Sequence, residues 1–375
     1  MLPVNEIRCS KLDRVMNCAG VLRFKDLFEA EAGEPAREGT ACGELLQFKL
    51  ESGDAKAVPP SANASNGFRF DRDMHFHASE VATEILGSAQ SKVLCETRID
   101  WTTRSGIVIR GQYDGAYVRG NNLHIDDLKY GWKIVDAHRN WQLIGYAIGE
   151  VIRRGVAFEY IVMRILQPRA HHEDGPYRTF AVTYAELLAL KEEIEQRMML
   201  IANGFQELRT GKHCKYCPAV AESCTAFNRA FHASLDYVLG DFKQDSTNPK
   251  EMAFQLDLIH QASDIIEIKK KSLTDLVTDK IKNGGVVPGW TTVQNYGDRK
   301  WNGDATPDFI ELMTGKSVVK QDMLSPAQVE KLGVSKSLVA KLSNRYLIGM
   351  KLKRQDSADL GDKIFGNTEP IKKET

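Results

Sequence analysis

Residues 93–129 constrain the fold of this chain more than any other stretch, because there the hydrophobic period changes from helical to alternating. Residues 93–101, 106–118 and 122–129 are three short runs of alternating apolar and polar side chains. Arg104-Ser105-Gly106 and Arg119-Gly120-Asn121-Asn122 separate them. A period of two marks strands with one buried face, and breaks this short and rich in Gly and Asn close antiparallel turns. Helical spacing surrounds the block. It is broken over residues 10–28, where Asn17-Cys18-Ala19-Gly20 interrupts it, and continuous over 38–50, 72–86, 140–153 and 184–204. The run YIVMRIL within 157–167 reads as one more strand, and 52–68, rich in Ala, Ser, Asn, Gly and Pro, as a loop. This order predicts an α/β core with a central mixed sheet flanked by helices.

Further along, residues 251–282 form one long helical pattern carrying Lys269-Lys270-Lys271 and stopped at Gly284-Gly285. A strand or the start of a hairpin is expected over 286–295, short helices over 327–332 and 336–342, and a frayed tail over 362–375. The expected organisation is a first domain over 1–232, a linker over 233–250 and a smaller, mostly helical domain over 251–375.

Lys+Arg and Asp+Glu both number 50 in the 375 residues, so a strongly basic nucleic-acid binder is excluded and any such role must come from a local site. No apolar run approaches the roughly 20 residues that span a bilayer. The opening MLPVNEIRCSKLDRVMNC has scattered charges and no apolar core, unlike a secretory signal. A cytoplasmic protein without a membrane partner is expected. In a reducing compartment the seven cysteines do not suggest a disulfide framework.

The chemistry concentrates in GQYDGAYVRGNNLHIDDLKYG, residues 111–131. If the turn near Gly120 pairs its two strands, Asp114 and Asp127 approach each other, and Lys129, two residues beyond Asp127, points to the same side. Two carboxylates and a lysine on one face suit phosphodiester hydrolysis. Carboxylates hold a hard cation such as Mg²⁺ or Mn²⁺, while the lysine orients water and offsets developing negative charge. Cys214, Cys217 and Cys224, in a C-x2-C-x6-C spacing, suit zinc or an iron–sulfur cluster, with a fourth ligand from elsewhere or from His213. Cys42 and Cys95 are expected to pack as small apolar residues.

Four motifs in order resemble the PD-(D/E)XK nucleases, in particular the RecB-like exonucleases and their iron–sulfur relatives. They are Arg37-Glu38-Gly39-Thr40-Ala41, Gly111-Gln112-Tyr113-Asp114, Ile125-Asp126-Asp127-Leu128-Lys129 and Gln142-Leu143-Ile144-Gly145-Tyr146. The resemblance covers about residues 8–230 and implies a restriction-endonuclease-like core. It implies that Asp114, Asp127 and the Leu128 carbonyl hold the metal and that Lys129 is catalytic. It places Gln142 and Tyr146 near the scissile phosphate and Glu96 in support of the metal or the lysine. It also implies a [4Fe–4S] clasp on Cys18, Cys214, Cys217 and Cys224, with Cys9 as the runner-up for the first ligand. Gly43 stands where the family has a metal-binding histidine, so water, Glu44 or Glu96 would complete the shell.

More loosely, residues 284–328 resemble the tail of a phage and prophage subgroup, in which the 269–271 lysines, Trp290, Arg299, Lys300 and Trp301 would extend a DNA surface. The expected function is a Mg²⁺- or Mn²⁺-dependent DNA exonuclease acting on DNA ends or single strands. Its setting would be phage recombination or replication in a bacterial host cytoplasm, with a single-strand annealing or replication protein as a possible partner. A nuclease-fold DNA-binding or recombination adaptor, motivated by Gly43, is the alternative, and a zinc-bearing structural protein the second.

Overall fold

The computed structural model describes residues 6–24, 33–170, 172–221, 223–239, 248–301, 306–315, 324–331 and 334–354. The chain divides into two compact units, Met1–Leu273 and Thr274–Thr375.

The first unit is α/β and holds a six-stranded mixed sheet. Its strands are β1 (Glu6–Arg8), β2 (Leu94–Thr102), β3 (Val108–Arg119), β4 (Asn122–Leu128), β5 (Tyr160–Leu166) and β6 (Tyr177–Thr183). The expected hairpin forms: β3 and β4 pair antiparallel from Gly115↔Asp126 to Arg119↔Asn122, and Gly120 takes φ +59° in the turn. Beyond it, β4 pairs parallel with β5, and β5 antiparallel with β6. Two strands, β1 and β6, were not expected. β1 is too short to show alternation, and the β-forming YRTFAVT of β6 runs straight into a helix.

Helices α1 (Cys9–Asn17), α4 (Trp141–Arg154) and α5 (Tyr184–Ala202) contribute to one core. There Leu12, Val15, Leu143, Ile144, Ala147 and Ile194 meet Leu123 and Ile125 of β4. Helices α2 (Glu34–Ser52) and α3 (Arg72–Ser88) build a second core, in which Leu45, Leu46, Met74, Val81 and Ile85 meet Tyr117, Leu128 and Leu166. Burying each such side chain contributes about 1.5–3 kcal/mol. Local chemistry sets the helix starts. Thr183 and Glu186 close a capping box on α5, Asp71 caps α3, and Pro35 moves the start of α2 forward to Glu34.

α6 (Thr225–Leu239) follows the cysteine segment and extends through 239, into the stretch expected as a linker; residues 240–247 lie outside the described residues. α7 (Pro249–Lys282) is the expected long helix. The second unit adds an antiparallel ribbon of β7 (Trp290–Trp301) and β8 (Ser343–Arg354), with short helices α8 (Pro307–Thr314), α9 (Pro326–Lys331) and α10 (Lys336–Leu342). Helices predominate among the described residues of 251–375, as expected, and β7 covers the strand expected over 286–295; β8 was not expected, because it pairs with a strand about fifty residues upstream and no local turn announces it. The expected frayed tail lies outside the described residues.

On the α2/α3 side of the sheet, Arg164 of β5 forms a bidentate pair with Asp126 at 2.7 and 2.8 Å. It also reaches Glu84 at 2.8 Å and the Tyr117 hydroxyl at 3.0 Å. His124 stacks on Tyr117 with centroids 4.7 Å apart. Burial, together with Arg164 and Arg119, pulls the His124 pKa from 6.5 down to about 4. Between those values the unfolded chain takes up a proton that the fold refuses. The stability contribution is therefore complete above pH 6.5 and declines as pH falls toward 4, by roughly 1–3 kcal/mol in all. His124→Phe keeps a stacking ring and should flatten that part of an acid-unfolding titration; an unchanged slope would assign the sensitivity elsewhere.

Candidate functional site

β2 follows one edge of β3 over residues 108–116, so β3 shares its other edge between β1, at 108–110, and β4, at 115–119. Residues 111–114 have no strand partner on that shared edge, and the sheet splits there. Close packing covers the split. A Cβ on Gly111 would stand 2.5 Å from Tyr146 Cε1 and 2.8 Å from Cys9 Sγ, and one on Gly145 would stand 2.7 Å from Leu12 and 2.9 Å from Cys9 Sγ. Glycine at both positions lets α1 and α4 close on the strand.

Asp114 is the last residue of this split. Continuing the register one residue past Gly115↔Asp126 places it opposite Asp127, although the pairing itself ends at Gly115. On the β2 side, the Cys95↔Gly115 and Thr97↔Tyr113 rungs bracket Glu96, which falls opposite Asp114. Glu96 has φ +43°, in the left-handed region, a strain of about 1–3 kcal/mol. Glu96, Asp114 and Asp127 thus occupy one transverse row across three strands. The Glu96 carboxylate accepts a hydrogen bond from Gln112 Nε2, and Asp114 Oδ2 accepts one from the Leu128 N–H.

Lys129 Nζ lies 2.6 Å from Asp127 Oδ2, as the two-residue spacing predicts, and donates to Gln142 Oε1 at 3.4 Å. The N-cap of α4 positions that amide, since Asn140 accepts from the N–H groups of Gln142 and Leu143. Gln142 Nε2 in turn donates to Asp127 Oδ1 at 3.3 Å and to the Tyr146 hydroxyl at 2.7 Å. Asp114, Asp127, Lys129, Gln142 and Tyr146 are therefore brought together, with Glu96 on the same row. Neighbouring Asp126 points to the other face, toward Arg164.

Burial first, then repulsion from Asp127, pushes the Asp114 pKa well above the usual carboxylate range, against the Leu128 N–H, which lowers it. At Lys129 burial works against the charge, but Asp127 and Asp114 outweigh it and hold the ammonium above its ordinary pKa. Three carboxylates against one ammonium leave an excess of hard negative oxygen. Asp127 Oδ2 is buried and accepts no hydrogen bond of regular geometry. As the side chains stand, no three His, Cys, Asp or Glu among the described residues converge on a single ion. The donor set fits a cation such as Mg²⁺ that takes one or two carboxylates and keeps several waters. Glu44 is committed elsewhere, to the Ser65 N–H at 2.8 Å and the Ser65 hydroxyl, and a Cβ on Gly43 would meet nothing within 4 Å.

A second constellation lies where α1 ends. Cys18, Cys214, Cys217, Cys224 and His213 line one small cavity of about 10 Å³. Cys9 is elsewhere, fully buried in the first core. The Gly20 N–H donates to the Glu207 carbonyl at 2.9 Å, joining the end of α1 to the segment that leads to the cysteines. Burial disfavours the Cys18 thiolate, but His213 and backbone hydrogen bonds at Arg209 and Val21 together outweigh it and lower the pKa; Cys18 and Cys214 in turn raise His213, against its own burial, to about 10. A tetrahedral zinc with Zn–S bonds of about 2.3 Å draws its sulfurs to within roughly 3.8 Å of one another. No such convergence is present among the described residues.

Lys269 of α7 closes the back of this segment. It was expected on a basic DNA surface, but it is buried and donates to the carbonyls of Val220 and Ala221 at 2.9 and 2.7 Å and to Asn228 Oδ1 at 2.8 Å. Removing the ammonium takes this donor from two buried carbonyls. Lys269→Met should therefore cost about 1–3 kcal/mol, read as a lower denaturation midpoint of the full chain. Of the other residues placed on that surface, Trp290 is half-exposed in β7, and the side chains of Arg299, Lys300 and Trp301 lie outside the described residues.

The fold and this cluster define an α/β protein with an acid–lysine site at a split in its sheet. The chain belongs to the family described as "Protein of unknown function (DUF2800)", whose model matches residues 7–354. No curated protein matches it. One solved structure, "Crystal structure of SSO0001", is similar at 14% identity over 59% of this chain and 87% of its own, with a TM-score of 0.30, a level that carries no argument. No helix among the described residues is long and apolar enough to cross a membrane.

Proposed function

We propose that this chain is a Mg²⁺- or Mn²⁺-dependent deoxyribonuclease of the PD-(D/E)XK type, RecB-like, with a restriction-endonuclease-like core. It hydrolyses phosphodiesters at DNA ends or in single strands, in phage recombination or replication. The observation that carries this reading is the placement of Asp114 opposite Asp127, with Lys129 Nζ 2.6 Å from Asp127 Oδ2, at a split in the sheet. Asp114, Asp127 and the Leu128 carbonyl would hold the cation, with Glu96 supporting from β2 in place of the missing histidine. When bound, the cation polarises the phosphate and lowers the pKa of a bound water. Lys129 holds its proton, orients the attacking water and offsets charge growing on the phosphate. Gln142 aligns Asp127 with Lys129, and Tyr146 presents a hydroxyl beside them. The four cysteines would carry a [4Fe–4S] clasp joining the end of α1 to the 214–224 segment.

The test is digestion of end-labelled DNA by the full chain in Mg²⁺, Mn²⁺ or EDTA. Wild-type protein should degrade DNA only with metal, and Asp114→Asn and Asp127→Asn should abolish degradation; digestion by either variant at the wild-type rate refutes the reading. Gly43, with open space where the family has a histidine, favours a second reading, a nuclease-fold adaptor that binds DNA without cutting it. Retention of labelled DNA with no product in any metal would establish that reading instead.

A further inference from the structure

The loop immediately after Lys129 carries an exposed aromatic held as if for a ligand. Trp132 is 67% exposed, yet the backbone on both sides of it is fixed. The fully buried Gln167 donates from Nε2 to the carbonyls of Gly131, at 2.6 Å, and Lys133, at 2.8 Å, and its Oε1 accepts from the Val135 N–H at 3.1 Å. Arg178 adds a bond to the Val135 carbonyl at 3.0 Å. The ring is also backed. The Arg169 guanidinium lies 4.5 Å from the centroids of both Trp132 and Tyr130, and its position is held by Glu38 at 2.8 Å. Tyr130 is tied in turn to His77 Nδ1 at 3.2 Å.

A large ring on a mobile loop would lose conformational entropy on binding a flat partner. Here that ordering is already done, and water still covers much of the ring. Packing does not explain the arrangement, because an exposed tryptophan buries little of its surface. A rigid, half-free indole suits stacking with another π-face. The guanidinium behind the ring adds positive charge on the side away from the ligand. The chain from Lys129 to Trp132 spans at most about 11 Å, the reach of one or two nucleotides from a phosphate at the lysine.

We propose that Trp132, backed by Arg169 and Tyr130, is a stacking platform for one unpaired base of a single-stranded DNA end fed to the acid–lysine site. This inference rests on the nuclease reading and specifies its substrate: a strand whose bases are unstacked, since a base paired inside a duplex has no free face to offer.

The test uses the full chain in Ca²⁺ without Mg²⁺, with a fluorescein-labelled oligo-dA strand and a blunt duplex as probes. Trp132→Ala should weaken single-strand binding by roughly 5- to 150-fold, the worth of one base–aromatic stack, and leave duplex binding unchanged. Trp132→Phe should restore most of the loss. In a series of strands carrying one abasic nucleotide at successive positions, one position should erase the difference between wild type and Trp132→Ala. Equal single-strand affinity of wild type and Trp132→Ala, or equal losses on strand and duplex, overturns the platform. If wild type also cleaves DNA in Mg²⁺, the nuclease reading survives that result; if wild type binds neither probe and cleaves nothing, both fall together.

Discussion

Lys129→Ala is expected to reduce Mg²⁺-dependent DNA cleavage by about 10²- to 10³-fold, the usual cost of removing a preorganised group that stabilises transition-state charge. The same substitution should leave binding of Mn²⁺ at least as tight as in wild type. The two effects separate because the ammonium competes with the cation for Asp127. With Nζ only 2.6 Å from Asp127 Oδ2, the lysine neutralises part of the charge a metal would otherwise meet. Removing it exposes two facing carboxylates, Asp114 and Asp127, to each other, and a divalent cation relieves that repulsion. Calorimetry with Mn²⁺ and a gel assay on labelled DNA, run on the same preparation, check both halves. Cleavage at the wild-type rate would remove Lys129 from the chemistry. Lost Mn²⁺ binding with lost cleavage would make it a structural prop for the acids.

The second large effect belongs to the cysteines. Purified wild-type protein is expected to be brown, with broad visible absorbance and about four irons per chain, and Cys18→Ser or Cys217→Ser should lose nearly all of both. Cys9→Ser and Cys95→Ser are the controls. Cys9 packs in the first core between Gly111 and Gly145, and Cys95 lies half-buried in β2, away from the cavity that Cys18, His213 and the other three cysteines line. Both control variants should therefore keep their iron, although Cys9→Ser places a hydroxyl in the core and should lower stability. A colourless wild-type protein containing zinc, or full iron retained in Cys18→Ser, refutes the clasp. Iron lost from Cys9→Ser but not from Cys18→Ser would exchange their roles.

The acid–lysine strand was the most legible part of the chain, since alternation across residues 122–129 settles which side each residue faces. Asp127 and Lys129 share a side because they are two apart, and Asp126 must face away, where Arg164 pairs with it. The start of α5 at Tyr184 was read for a similar reason, and the Thr183–Glu186 capping box found there satisfies local N–H groups and needs no distant partner. The same local logic failed for β1 and β8. One is three residues long and the other pairs across about fifty residues, so neither carries its partner nearby in sequence. Lys269 misled because a basic run reads as a solvated face. Only the packing of α7 on the 214–224 segment reveals carbonyls for it to bind.

By itself the sequence determined the period of each element, the parity of Asp127 and Lys129, and the spacing of Cys214, Cys217 and Cys224. These are properties of neighbours along the chain, governed by backbone geometry over a few residues. Tertiary structure alone decided that β1 and β4 share one edge of β3 and leave a split at 111–114. It also set Cys18 in the lining of the cysteine cavity, as the resemblance implied, and used Gln167 to fix the backbone on both sides of Trp132. Those outcomes depend on contacts between residues tens to hundreds of positions apart. Which partners meet there is set by packing and buried hydrogen bonds, and no local pattern encodes it.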